Sequence, residues 1–140
     1  MYMEFNFKEG SSIIKEAKVT ENDTALKMGS GDLEVYATPA MIAFMENTAK
    51  SIVINKLPDG YTTVGIEMNV QHIKPSPVGA TIKCKATLTK TDRKKLFFDI
   101  EASDDKGIIG NGSHVRYIVN SQDFMKKTRN NWLKRLVITN

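Results

Sequence analysis

Residues 38–60, TPAMIAFMENTAKSIVINKLPDG, contain one long amphipathic pattern that ends at a proline and a glycine. Thr38-Pro39 predicts a helix start, because a threonine side chain can cap the first turn and proline is preorganised for the first helical position. Apolar residues then recur at three- and four-residue spacing, which predicts a helix from Pro39 to about Asn55. Its predicted buried stripe consists of Met41, Met45, Thr48, Ala49 and Ile52.

After this helix the apolar period changes from helical spacing to two, which is the period of a strand. The first strand is predicted to carry Val64, Ile66, Met68, Val70 and His72 on one face and Gly65, Glu67, Asn69 and Gln71 on the other. Three later strands are predicted, each with one apolar face. The second strand carries Ile82, Cys84, Ala86 and Leu88 on that face, the third carries Leu96, Phe98, Ile100 and Ala102, and the fourth carries Ile109, Val115, Tyr117 and Val119. The four strands are predicted to follow one another through three consecutive hairpin-like connections, the last two at the polar turns 92–95 and 104–107, which indicates an antiparallel sheet.

Two further strand pieces are predicted before the helix, Ile13–Val19 and Thr24–Met28, followed by the flexible connector Gly29-Ser30-Gly31-Asp32. One long helix with an antiparallel sheet is an α+β architecture, in which the sheet buries one face against the helix. A highly curved sheet wrapped around a central helix is one solution.

The composition is that of a soluble single domain. The chain has 140 residues, 41% of them apolar and 26% charged, so it can bury a core without disulfides or metals. The lone cysteine, Cys84, cannot form an intrachain disulfide, and no cysteine and histidine cluster has zinc-ligand spacing. The start MYMEFNFKEG is unlike a signal peptide, and no apolar run approaches the roughly 20 residues that cross a bilayer. We expect a cytoplasmic protein with no membrane partner and no metal.

The positive charge is concentrated at the carboxyl end. Residues 125–140 contain five basic residues and no acidic one, and the other 15 basic residues of the chain face 16 acidic ones. The excess thus belongs to a tail rather than to a nucleic-acid-binding face. We predict one domain over residues 1–124 and a solvated, helical basic tail over 125–140.

Three residues in the helix and first strand are candidates for chemistry. His72 lies at the end of its strand, and an imidazole there suits proton transfer at neutral pH, although a satisfied structural histidine is the commoner case. Glu46 flanks the apolar stripe, where a carboxylate can act as a base, but an ion pair with Lys50 explains it equally well. Thr38 can polarise a carbonyl beside the helix amides, or can simply cap the helix.

His114 and Arg116 share a strand face with Gly110 and Gly112, and glycines there leave room for a ligand or another backbone. Arg116 can meet an acyl carboxylate or phosphate, or else pair with Glu101 or Asp99. The sequence has no GxGxxG, phosphate-loop, GxSxG or HExxH motif. The sequence therefore does not favour the common classes of nucleotide-binding protein, serine hydrolase or metalloprotease.

Several short segments together resemble the fluoroacetyl-CoA thioesterase branch of the hot-dog superfamily over residues 10–125. They are Val35-Tyr36-Ala37-Thr38-Pro39, Phe44-Met45-Glu46, Thr63-Val64-Gly65, Val70-Gln71-His72, the segment from Pro75 to Gly79, and Gly110-Asn111-Gly112-Ser113-His114-Val115-Arg116. Their order and spacing make the resemblance specific.

The resemblance implies a hot-dog fold and a homodimer with active sites at the dimer interface; pairing of dimers into tetramers stays open. It implies Thr38, Glu46 and His72 as catalytic residues, and Gly65 and Arg116 as contacts of the acyl end. It implies hydrolysis of an acyl-CoA without a cofactor, since CoA is part of the substrate. Fluoroacetyl-specific members carry aromatic lid residues where this chain has Gly29-Ser30-Gly31-Asp32, so we expect a small or medium acyl-CoA instead.

Two other functions of a hot-dog domain remain alternatives. A non-catalytic acyl-CoA sensor would not need Thr38, Glu46 and His72. An enoyl-CoA hydratase also uses an acidic residue and a histidine, but the spacing from Thr38 to Glu46 on one helix favours the thioesterase.

Overall fold

A long helix packed on a five-stranded antiparallel sheet organises the computed structural model, which describes residues 5–139 and the side chains of residues 5–135. The elements are β1 (Ser12–Lys18), α1 (Ala25–Met28), α2 (Thr38–Val53), β2 (Tyr61–His72), β3 (Thr81–Asp92), β4 (Lys95–Asp104), β5 (Gly107–Asn120) and α3 (Ser121–Thr139). Short 3₁₀ helices at Glu21–Asp23 and Ile54–Lys56 precede α1 and follow α2. The sheet order is β1-β3-β4-β5-β2, and α2 packs against β1, β2, β3 and β4. The predicted α+β class is confirmed.

The predicted stripe of α2 forms the centre of the core. Its buried residues are Met41, Met45, Thr48, Ala49, Ile52 and Val53. The predicted apolar sides of β3 and β4 face this stripe, and all eight residues are buried: Ile82, Cys84, Ala86, Leu88, Leu96, Phe98, Ile100 and Ala102. Full burial of one such large side chain contributes roughly 1.5–3 kcal/mol, so this contact holds α2 against the sheet.

The predicted strand Thr24–Met28 is wrong. Thr24 instead caps α1, its hydroxyl accepting a hydrogen bond from the amide of Lys27 at 3.2 Å. Gly29 then ends the helix in the left-handed region, with φ of 77°. A five-residue segment is too short for its period to separate strand from helix, and the capping residues decide the outcome.

The first of the three predicted hairpins is also wrong. β2 pairs with β5, whereas the chain from residue 73 to 80 crosses to β3 on the far side of β4. Pro75 and Pro77 lie in this connection and have no amide hydrogen to donate to a sheet, so the chain leaves the sheet there. The turns after Asp92 and Asp104 are hairpins as predicted.

A bulge in β2 changes which residues face α2. The pairing with β5 shifts between Gly65 and Glu67, which leaves Ile66 as the extra residue, 51% exposed. Before the bulge, Thr63 and Gly65 lie on the face toward α2. The prediction placed Val64 and Ile66 on that face and Gly65 on the other, so it is wrong for these three residues. A bulge inserts one residue, so the period of two breaks at that point.

β5 also departs from the prediction, because its inner face is partly polar. Ile109 and Val115 are buried as predicted. The face toward α2 further along the strand nevertheless carries His114, Arg116 and Ile118, and Val115, Tyr117 and Val119 lie on the other face. Buried polar side chains are tolerated where they satisfy each other, so hydrophobicity alone misplaces this strand.

The basic tail belongs to a longer helix. α3 begins at Ser121, four residues before the predicted tail, and exposes Phe124, Met125, Trp132 and Leu133. The division at residue 124 stays a prediction, and residues 1–4 and Asn140 lie outside the described residues. No helix in the described range 5–139 has the length and apolar character needed to span a bilayer.

Candidate active site

Thr38 and His72 meet at one end of α2. Thr38 is the first residue of the helix, and its Oγ1 lies 2.9 Å from Nδ1 of His72, the last residue of β2. The predicted capping role of Thr38 is wrong, because Ala37 occupies the cap position and no side chain caps the helix. The hydroxyl is directed to the imidazole instead, which is the arrangement of an activated hydroxyl or of a base held in orientation.

The environment of His72 favours its neutral form. Its Nε2 is enclosed and has no hydrogen-bond partner within the described part of the chain. Burial lowers the pKa of His72 below its ordinary value of 6.5. When Thr38 donates its hydroxyl hydrogen, Nδ1 is the acceptor and the ring hydrogen is on Nε2. His72 can then take a proton at neutral pH.

An open cavity of about 500 Å³ adjoins this pair. Tyr36 lies in its wall, with its ring edge-on to His72 at a centroid distance of 6.2 Å. The backbone amide of Tyr36 donates to the carbonyl of Ser76, whose own hydroxyl donates to Asp104, both at 2.8 Å. Sequence reasoning missed Tyr36 and Ser76; the only signals were a tyrosine in a short apolar segment and a serine between two prolines.

Glu46 and Arg116 form a second cluster two turns further along α2. Arg116 is only 7% exposed, and its Nη1 lies 3.8 Å from Oε2 of Glu46. Its Nε and Nη2 donate to Oγ1 and the carbonyl of Thr63, at 2.7 and 2.9 Å. These contacts replace the alternative partners, Lys50 for Glu46 and Asp99 or Glu101 for Arg116. A buried cation thus faces a half-exposed carboxylate.

His114 completes this cluster as a neutral acceptor. Its Nε2 is 3.1 Å from Nη1 of Arg116, which can only donate, so the ring hydrogen is on Nδ1 and is donated to the carbonyl of Glu67 at 2.8 Å. Burial is the main cause that lowers the pKa of His114, and the positive charge of the adjacent Arg116 lowers it further. His114 therefore helps to fix the plane of the guanidinium opposite Glu46.

Gly65 leaves the space that this cluster occupies. A Cβ at position 65 would lie 2.8 Å from Oε2 of Glu46, 3.1 Å from Cε1 of His114 and 3.4 Å from Nη1 of Arg116. Gly65 and Arg116, which the resemblance predicts to contact the same end of the acyl group, therefore lie next to each other. Glu46 lies beside both.

Replacing Gly65 by alanine is expected to displace the Glu46 carboxylate. The group that must move is the far end of a flexible side chain, so we expect a loss in unfolding free energy below about 1 kcal/mol but a loss of about tenfold or more in any reaction that uses Glu46. Urea unfolding and steady-state kinetics measure the two effects, with Asn111→Ala on the outer face of β5 as control. Unchanged activity would contradict a role for this geometry.

Both histidines make stability depend on pH. Because burial lowers the pKa of His72 and of His114, the unfolded chain binds protons more readily than the folded chain. We expect the unfolding free energy to be level above pH 6.5 and to decrease as the pH falls below that value. Urea unfolding between pH 7.5 and 5.5 checks this, and His114→Gln should flatten the decrease. Parallel pH curves for the two proteins would contradict it.

The five predicted site residues thus form two clusters within one chain. Thr38 and His72 lie together, and Glu46, Gly65 and Arg116 lie together. Glu46 follows Thr38 by eight residues of helix, an axial separation of about 12 Å. Gly65 and His72 lie about 20 Å apart along β2. One carbonyl group cannot contact both clusters of the same chain.

Solved structures show the class of this fold. A hot-dog-like protein from Thermanaerovibrio acidaminovorans is 23% identical and superposes with a TM-score of 0.82 over 89% of this chain and 93% of that one. A mutant fluoroacetyl-CoA-specific thioesterase in complex with fluoroacetate and CoA is also 23% identical, with a TM-score of 0.81 over 84% of this chain and 99% of that one. The protein therefore has the hot-dog fold, as predicted.

Sequence comparison narrows the class to a family. The model of the fluoroacetyl-CoA-specific thioesterase family matches residues 19–122. The fluoroacetyl-CoA thioesterase of Streptantibioticus cattleyicolor is 29% identical over 96 residues, which are 69% of each chain. This chain belongs to the fluoroacetyl-CoA-specific thioesterase family, and the branch that the sequence resembles is confirmed.

Proposed function

We propose that this protein is a thioester hydrolase that cleaves an acyl-CoA to the free acid and CoA. The observation that carries the proposal is the Thr38–His72 hydrogen bond of 2.9 Å at the start of α2, beside an open cavity. A hydroxyl, a neutral imidazole and the free amides of a first helical turn are suited to a reaction that develops negative charge on a carbonyl oxygen. Family membership supports the same reaction.

In the proposed reaction, water is added across the thioester. The water oxygen bonds to the carbonyl carbon, the carbon–sulfur bond breaks, and a water proton passes through the base to the departing sulfur. Thr38 and the first-turn amides polarise the carbonyl, while Glu46 and His72 activate the attacking group. Arg116 and Gly65 flank the acyl carbon next to the carbonyl, near Glu46. Each role is a proposal for this chain.

We infer that a homodimer assembles the complete site. β2 is an edge strand of the sheet in the described part of the chain, and such an edge can pair with another strand. Antiparallel pairing of two β2 strands about a two-fold axis at Asn69, with the bulged Ile66 left unpaired, would place Gly65 of one chain opposite His72 of the other. The Glu46 cluster of one chain would then adjoin the Thr38–His72 pair of its partner.

The proposed function is tested with a panel of acyl-CoA substrates. Release of CoA thiol is measured beside acyl-CoA binding by calorimetry, since a sensor would bind without turnover. Many turnovers per chain on at least one acyl-CoA are expected. Tight binding with no thiol release would favour the sensor and overturn the proposal. A cytoplasmic location and the pairing of dimers into tetramers remain predictions.

A further inference from the structure

The cavity beside Thr38 and His72 is larger than a two-carbon acyl group requires. Its volume of about 500 Å³ lies in the range of small-molecule sites. Its floor consists of the buried or half-buried residues Ala25, Val35 and Tyr36, and its rim includes the exposed Ser30 and Lys74. Burial raises the pKa of Tyr36 far above its ordinary value, so the phenol is neutral and the floor carries no charge.

The floor is a fixed surface. The carbonyl of Val35 accepts from the amide of Ala25 at 2.9 Å, and Val35 pairs with Pro77. Tyr36 is held from the other side by Ser76, and its segment pairs with Thr24. Backbone bonds on both sides keep the cavity open without a ligand, which lowers the cost of binding one.

The segment at the rim of the cavity has only short side chains. The connector 29–32 follows α1 and contains two glycines, a serine and an aspartate, of which Ser30 lines the cavity. An acyl chain could instead run toward Glu46 and the buried Arg116. Its methylene groups would then contact two charged groups and replace the water around them, which is unfavourable. An aliphatic chain is therefore favoured on the Val35 and Tyr36 side.

We propose that this cavity binds an unbranched aliphatic acyl chain of about six to eight carbons, with the thioester carbonyl at Thr38 and the methyl end over Val35 and Tyr36. Each chain carbon occupies about the volume of one water, ~30 Å³, so such a chain fills about half of the open cavity. Ser30 and Val35 set the chain length. The inference rests on the proposed thioester hydrolysis and specifies its substrate.

The test is kcat/KM for straight-chain acyl-CoAs from two to twelve carbons. Each methylene buried on the floor is expected to raise kcat/KM about fourfold, up to six to eight carbons. Ser30→Phe, at an exposed rim position, is expected to lower kcat/KM for octanoyl-CoA about tenfold or more and for acetyl-CoA less than about threefold. Asn111→Phe, on the outer face of the sheet, is the matched control and should change neither.

A second variant separates specificity from folding defects. Val35→Ala enlarges the floor and should move the preferred chain length upward by one or two carbons, which a folding defect cannot do. A maximum at acetyl-CoA, or an equal loss at every length in Ser30→Phe, would overturn the inference and leave thioester hydrolysis standing. Absence of hydrolysis at every length would overturn the proposed function itself.

Discussion

Replacing His72 by alanine, or Glu46 by glutamine, is expected to lower kcat for acyl-CoA hydrolysis about 100-fold to 10,000-fold, because a positioned base contributes that much to the rate. The substitution at His72 removes the acceptor 2.9 Å from the Thr38 hydroxyl. The substitution at Glu46 keeps the shape of the side chain but removes the charge that faces Arg116. Initial rates of thiol release measure both losses.

The matched control for the carboxylate is Glu101→Gln, on the outer face of β4. Its rate should equal that of the wild type, and circular dichroism should show that all three variants are folded. If either site variant retains more than about one third of the wild-type kcat, the assigned role of that residue is wrong.

Replacing Gly112 by alanine is expected to lower the unfolding free energy by about 3 kcal/mol or more. A Cβ at this position would overlap the backbone oxygen of Asn69 and lie 2.9 Å from Cα of Val70. These atoms belong to the backbone of β2, which cannot give way without breaking its pairing with β5. Urea unfolding measures the change.

Ser113→Ala, one residue further along β5, is the control for this position and should change the unfolding free energy by less than about 0.5 kcal/mol. A Gly112→Ala protein as stable as the wild type would show that β2 and β5 are not so closely apposed.

The helices and strands in which apolar residues recur at one constant spacing were predictable from the sequence. The stripe of α2 and the inner faces of β3 and β4 each follow one period throughout, and every predicted residue there is buried. The prediction failed where the period breaks or is too short. The bulge at Ile66 reverses the faces of β2 within one residue, and Thr24–Met28 is governed by its capping threonine and by Gly29.

The site was less accessible to reasoning from residues alone. Thr38 and His72 are 34 positions apart, and their contact depends on how the end of β2 meets the start of α2. Thr38 satisfied the rule for a helix cap, so its sequence position favoured the wrong role. Reasoning from the residues left a structural alternative open for each candidate, and the resemblance to a family favoured the catalytic roles. It did not indicate the packing of Tyr36 against His72, or the contact of His114 with Arg116.

The central claim is that Thr38 and His72 of one chain act with Glu46 of another, and mixed dimers test it most directly. One chain carries Thr38→Ala and His72→Ala, the other carries Glu46→Gln, and two affinity tags isolate the dimer that contains both. Each parent homodimer should be inactive. The mixed dimer should recover about half of the wild-type rate, because one of its two sites contains all three native residues. A mixed dimer as inactive as its parents would contradict the shared site.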